Sequence, residues 1–294
     1  MFGGRHLKKI VAMALCALLV FGLVACGAPA EQPENSASAG ASASAPAATD
    51  SAAADDSLQK VKDKGVFVLG LDDSFPPYGY KDTDGVVKGF DIDLATEVCK
   101  RLGVELKVQA INWDTKVMEL NNGNIDCIWN GFTMSEEMKT QVLFTDPYVK
   151  NRQIIVVRAD SDINTKADLK DKVVGVQAGS SANEAIDNEA DVKATFKELL
   201  PIKDNVLALT ELKNKSVDAV VLDEAVGMSY VNQEPDVYKV LEEDFGGEEY
   251  GIGFRLGDQA LMGAVNDTLQ EMREDGTFAE IVAKWPDVVG AITE

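Results

Sequence analysis

From residue 58 onward, short apolar runs alternate with stretches of helical spacing, and this alternation limits the fold more than any other feature of the chain. "VFVLGL" (66–71), "VELKVQ" (104–109) and "IDCIW" (125–129) read as strands. Between them, Leu94, Val98 and Leu102 fall on one helical face, and 114–121 reads as a second helix. A second run repeats the rule: "QIIVVR" (153–158), "KVVGVQ" (172–177) and "VDAVVL" (217–222) are strand-like, while "SSANEAIDNE", 204–214 and "DEAVGMSYVNQ" are helix-like. "GIGFRLG" (251–257) reads as a further strand, its glycines lacking dinucleotide-binding spacing, and a helix over 258–274 leads to the end. Strands separated by helices need crossover connections, so parallel-rich sheets are expected, and two such runs predict two α/β lobes. In open sheets of this kind, ligands sit beyond the carboxyl ends of the strands.

Four strand ends carry suitable chemistry. Asp72 and Phe75 follow the first strand, and Asn130, Gly131 and Thr133 follow "IDCIW". Gln177 ends a strand whose next residues, Gly179, Ser180 and Ser181, open a helix; Asp223 directly follows "VDAVVL". Ser180 either caps its own helix or leaves the helix amides to an anion. Asp223 either caps the next helix or pairs with a ligand cation. Phe75 and Trp113 either pack or sandwich an apolar or cationic part of a ligand. Asp91 and Asp93 read as first-turn acids complementing a helix dipole. Asp82 and Asp84 read as turn residues, because Gly85 comes too early for a calcium loop and no glutamate follows at the required offset. The acidic runs "GGEEYG" and "VLEEDF" read as solvated surface.

The N-terminus belongs to a different regime. Arg5, Lys8 and Lys9 precede an apolar run over 10–25, too short for a comfortable membrane span and shaped as a secretory signal. It ends in "LVAC", which resembles the bacterial lipobox, so residues 1–25 are expected as a lipoprotein signal peptide and Cys26 as the lipidated N-terminus. Residues 26–57, rich in Ala, Ser and Pro, cannot bury enough apolar surface to offset ordering and read as a lipid-anchored tether. Losing the signal removes three positive charges and no acid, taking the formal charge from −21 to −24, which disfavours nucleic acid as a partner. The one histidine, His6, leaves with the signal; this excludes histidine-activated nucleophiles and histidine metal sites, and no metal or cofactor is expected. Cys99 and Cys127 lie in apolar patterns and read as buried thiols.

Across 58–285 the segments "GLDDSFPPYGY", "GVVKGFDIDLATEVCKRLGV", "GNIDCIWNGFTMSEE", "VGVQAGSS", "VDAVVLDEAV" and "YGIGFRLGD" resemble the polar amino-acid-binding proteins of ABC importers, the family-3 bacterial solute-binding proteins. The resemblance implies a two-lobed periplasmic-binding-protein-like fold (type II), with two mixed, largely parallel sheets joined by two hinge strands. Lobe 1 is expected over 58–150 and 251–294, lobe 2 over 151–250. It implies capture of an amino acid or related small polar solute in the cleft and delivery to an ABC permease with its ATPase. The protein is expected as a monomer, lipid-anchored on the outer face of the cytoplasmic membrane, as in a Gram-positive bacterium. Carried over position by position, Phe75 and Trp113 are cleft walls, and Asn130, Gly131 and Thr133 meet the ligand's amino and carboxylate ends. Ser180 and Ser181 form the second lobe's helix N-terminus, Gln177 lines the side-chain pocket, Asp223 takes the α-ammonium, and Asp72 reaches the ligand side chain.

One position departs from the family pattern. Where the family has "T-P-E-R", whose arginine clamps the ligand carboxylate, this chain has Ser135, Glu136, Glu137 and Met138. Loss of such a charge partner costs about 2–5 kcal/mol. Three outcomes stay open: another cation such as Arg152 or a nearby lysine replaces the clamp, the amino acid binds more weakly, or the head group carries no free carboxylate. Two rival functions are an enzyme on the same fold, dehydratase-like or murein-acting, using Glu136 or Glu137, and a ligand-sensing receptor component.

Overall fold

The computed structural model describes residues 55–293. The expectations for the signal peptide, for Cys26 and for nearly all of the tether lie outside these residues.

A helix, Ser57–Lys64, leads into strand β1 (Val66–Leu71), and a small antiparallel sheet of β2 (Ser74–Phe75), β3 (Gly79–Lys81) and β4 (Val87–Lys88) follows at its carboxyl end. Helix Phe90–Leu102 then connects to β5 (Glu105–Ala110), and a 3-10 turn, Trp113–Thr115, with helix Lys116–Asn121 connects to β6 (Cys127–Thr133). The short β7 (Leu143–Phe144) precedes the long β8 (Val149–Arg158). Strands β9 (Val173–Gln177), β10 (Glu198–Ile202) and β11 (Ala219–Asp223) are interleaved with helices Ser181–Asn188, Ala190–Lys193 and Asn205–Lys213. Helix Glu224–Gln233, the 17-residue β12 (Tyr238–Phe254) and helices Gln259–Glu274 and Thr277–Val282 complete the chain.

The strand order is β10-β9-β11-β8-β12-β6-β1-β5, with β7 also on β12. β1 pairs in parallel with β5 and β6, and β9 with β10 and β11. Between these two parallel groups run β8 and β12, antiparallel to each other and to their neighbours. The two halves are therefore α/β units whose ladders meet through one shared antiparallel pair. Each half keeps the pattern its position demands: β6, covered on both faces, is buried at all seven residues, whereas edge strand β5 is half-exposed throughout.

Besides the short β2 and β7, two strand segments were not anticipated. β10 carries Pro201, a residue tolerated here because the strand lies at the sheet's edge. Of the strand read over 251–257, only 251–254 are strand, as the end of β12, which starts thirteen residues earlier at Tyr238, in sequence whose charges disguise it. Asp91 does more than complement a helix dipole. It is fully buried, its Oδ2 accepts from the Gly131 amide at 3.0 Å, and its Oδ1 accepts from the Tyr148 hydroxyl at 2.9 Å.

Candidate ligand-binding cleft

The carboxyl ends of β6, β9 and β11, with the segments that follow β1 and β5, converge on one cavity of about 40 Å³. Phe75, Trp113, Gly131, Thr133 and Met138 line it from one half, and Gln177, Ser180, Ser181 and Asp223 from the other. It is small because the halves touch across it. Thr133 Oγ1 lies 3.0 Å from Ser181 Oγ, Gln177 Nε2 donates to Asp72 Oδ2 at 2.6 Å, and Lys116 Nζ donates to the Gly179 carbonyl at 2.7 Å. This is a closed cleft, and a solute the size of an amino acid enters only if the halves part.

Two positions tolerate only glycine. Gly131 has φ +56°, and a Cβ there would stand 2.5 Å from Phe75 Cε1. Gly179 has φ +67°, and its Cβ would meet Asp114 Cα at 2.8 Å across the cleft. The bare backbone at these strand ends lets an aromatic wall and a neighbouring chain approach closely.

Charge collects where β8 and β12 cross. Asp223 is buried, and its Oδ1 accepts from Tyr250 Oη at 2.5 Å, Asn151 Nδ2 at 2.7 Å and Gln153 Nε2 at 2.9 Å. Glu248 Oε1 accepts from the same two amides, each at 2.7 Å, from Thr133 Oγ1 at 2.9 Å and from Ser181 Oγ at 3.2 Å. Burial, and then the neighbouring Glu248 carboxylate, push the Asp223 carboxyl well above the usual carboxylate range. Asp72, also buried, is pushed up to about 6 by burial, against the pull of its bond from Gln177.

Lys116 is the cation of the cleft. It is 6 % exposed, bonds to the carbonyls of Gly179 and Trp113, and lies 5.1 Å from the Trp113 ring centre and 5.8 Å from that of Phe132. Burial lowers its ammonium to about 8. Helix Lys116–Asn121 thus starts by placing a lysine stem along aromatic walls, with its head on the facing half.

A cleft between two α/β halves, walled by aromatics on one side and closed over a buried aspartate on the other, has the geometry of a solute trap. Residues 67–288 match the bacterial extracellular solute-binding proteins, family 3. The chain belongs to that family. The L-cystine-binding protein TcyJ of Escherichia coli K12 is 31% identical over 230 residues, spanning 78% of this chain and 85% of that one. The glutamine-binding protein GlnH of Bacillus subtilis 168 is 33% identical over 288 residues, spanning 95% and 97%. The crystal structure of Tv2483 bound to L-arginine superposes with a TM-score of 0.77 at 30% identity, covering 81% of this chain and 97% of that one. These are two-lobed binding proteins rather than enzymes, and the fold implied by the sequence motifs is the fold observed.

Nine of the eleven residues selected for this family-3 site from its sequence line the cavity; Asp72 and Asn130 do not. Asp72 stands behind it, bonded to Gln177, whose Oε1 in turn accepts from Asn205 Nδ2 at 3.2 Å. Asn130 supports Asp72, its Oδ1 accepting from the Asp72 amide at 3.1 Å. Ser180 caps its helix, its hydroxyl accepting from the Asn183 amide at 3.3 Å, while Ser181 faces Thr133. Met138 packs beside the Trp113–Phe132 cluster.

Two readings change. Arg152 does not enter the cleft; it pairs with Glu224 at 2.5 Å and Asp244 at 3.0 Å. The run "GGEEYG" is not all solvated surface, since Glu248 turns inward although Glu249 is exposed. Asn151, Gln153 and Tyr250 were also missed. Their signal was alternation: 151 and 153 share one face of β8, and 248 and 250 one face of β12. Glu136 and Glu137, which an enzyme reading needs in the cleft, are exposed on the surface. Cys99 and Cys127 are buried free thiols.

Proposed function

We propose that this protein captures an amino acid or closely related small polar solute between its two lobes and presents the closed form to an ABC permease with its ATPase. Lobe 1 comprises 58–150 and 251–294, and lobe 2 comprises 151–250, so that β8 and β12 serve as hinges. The reading is carried by the convergence of Phe75, Thr133, Ser181 and Asp223, from four separate strand ends, on one closed cavity. Closure follows from differential contact: a solute touching both lobes stabilises the closed state over the open one. Asp223 takes the ligand's ammonium, Phe75 and Trp113 sandwich its body, and the Asp72–Gln177 pair meets its far end. Relatives that bind arginine, glutamine or cystine support this class of solute.

The chain works as a monomer, tethered by a lipid on Cys26 to the outer face of the cytoplasmic membrane. A Cys26→Ala variant should move from the membrane fraction to the soluble fraction without change in ligand affinity. The cleft itself is tested by a thermal-shift screen over amino acids, amines and small peptides. A ligand at 100 times its dissociation constant adds about 2.7 kcal/mol of stability. A screen in which no small polar solute raises the melting temperature overturns the proposal.

A further inference from the structure

Resting on that reading of the cleft, we infer that its hinge side takes a ligand bearing a cation and no free carboxylate: an amine, amide or ester rather than the parent amino acid. Glu248 supplies the carboxylate that such a ligand lacks.

The argument is a count of donors and acceptors. A ligand carboxylate offers acceptors only, whereas an ammonium offers three donors and no acceptor. Thr133 and Ser181, which line the cavity and could serve a carboxylate, are already directed to Glu248 Oε1, as are Asn151 and Gln153 from the adjoining hinge strands. They come from both halves, so Glu248 already closes the bridge that a ligand's anionic end would make. Acceptors, in contrast, are in excess. Asp223 and Glu248 share the same amide donors, and Gln153, itself 1 % exposed, holds an Oε1 with no hydrogen-bond partner. A buried acceptor without a donor is costly, and one supplied by an entering ammonium removes that cost.

Among the described residues, no cation balances this pair. Lys116 Nζ is bonded to the Gly179 and Trp113 carbonyls, and Arg152 is held by Glu224 and Asp244. The nearby cavity wall ends in the thioether of Met138, which carries no charge. A third carboxylate brought beside these two meets like charge in a water-poor site, while a ligand cation meets two partners. Glu248 therefore decides specificity through what it excludes as much as through what it attracts.

The test compares matched probes by calorimetry and melting temperature: arginine with agmatine and arginine amide, and histidine with histamine. In the wild-type chain, the probe lacking the carboxylate should bind at least tenfold tighter than its parent amino acid. Glu248→Gln should shrink that ratio at least tenfold, and Met138→Arg should shift it the same way by adding a cation for the carboxylate. The inference is overturned if the parent amino acids bind more tightly to the wild type, or if Glu248→Gln leaves the ratio unmoved. The wild-type ratio needs no variant to fold. A different failure, in which neither series nor any other small polar solute binds, sinks the cleft reading itself.

Discussion

The two charged patches of the cleft handle burial in opposite ways. On the hinge side, Asp223 and Glu248 are two carboxyl groups sharing a small set of neutral donors, with no cation between them among the described residues. On the other, Lys116 is a single ammonium that satisfies itself on two carbonyls and two ring faces. The first arrangement is incomplete without a visitor. The second is complete and acts as a latch, since one of its carbonyls, that of Gly179, lies on the facing half. On the proposed function, the comparison separates recognition from closure: the paired carboxyl groups would meet the solute, and the lysine would hold the halves together.

The largest test of this division is Asp223→Asn. Removing a desolvated charge partner should weaken ligand binding by about 2–5 kcal/mol, on the order of 30- to several-thousand-fold. The free protein should keep or gain stability as Glu248 loses its like-charged neighbour. If calorimetry shows unchanged affinity, the hinge side is not where the cation goes.

The two patches should also titrate with opposite sign. Asp72 at about 6, Asp91 at about 7 and the raised Asp223 all bind protons more tightly folded than unfolded, each chiefly through burial. Their contribution is therefore present at low pH and is lost as pH rises from about 4 to 7. Lys116, lowered to about 8, does the reverse: folded it loses its proton first, so stability rises from pH 8 towards 10.5. Melting curves of the ligand-free protein should fall between pH 5 and 7, less steeply in Asp91→Asn. Above pH 8 they should gain a component that Lys116→Met abolishes. A melting temperature that climbs from pH 5 to 7 would contradict the assignment of these carboxylates.

Gly179→Ala probes the latch. Its Cβ would stand 2.8 Å from Asp114 Cα, and the residue has φ +67°, so the closed state suffers more than the open one. We expect about a tenfold loss of affinity, with global stability reduced by about 1 kcal/mol. Equal affinity would show that closure does not bring these backbones together. The smallest effect belongs to Arg152→Ala. Its pairs with Glu224 and Asp244 are solvent-accessible, and stability should change by no more than about 1 kcal/mol, with binding unaltered. A large loss of affinity there would return Arg152 to the list of cleft cations.

Strand and helix alternation, read with the rule that ligands gather at strand carboxyl ends, selected Phe75, Gly131, Thr133, Gln177, Ser181 and Asp223, which line the cavity, together with Asp72 and Asn130, which do not. Apart from the aromatic Phe75, these residues announce themselves locally, as polar or glycine positions at or just after the ends of apolar strand segments. The burial of Asp91 beneath Gly131 was not legible, because forty residues of sequence separate partners joined by a hydrogen bond. Nor was the role of Lys116, which on a short helix reads as any solvated lysine until the facing half is in place.

What the order of residues determined alone was the set of α/β elements and the strand ends where chemistry could sit, since both follow from periodicities of a few residues. What only the tertiary structure decided was which polar residues of the hinge strands turn inward. Glu248 stands opposite Asn151, and Tyr250 opposite Val149, in an antiparallel register that includes two shifts. A slip of one residue in that register would send Glu248 to solvent and Glu249 to the cleft. Strand register depends on contacts between β8 and β12, some ninety residues apart, and no local pattern encodes it.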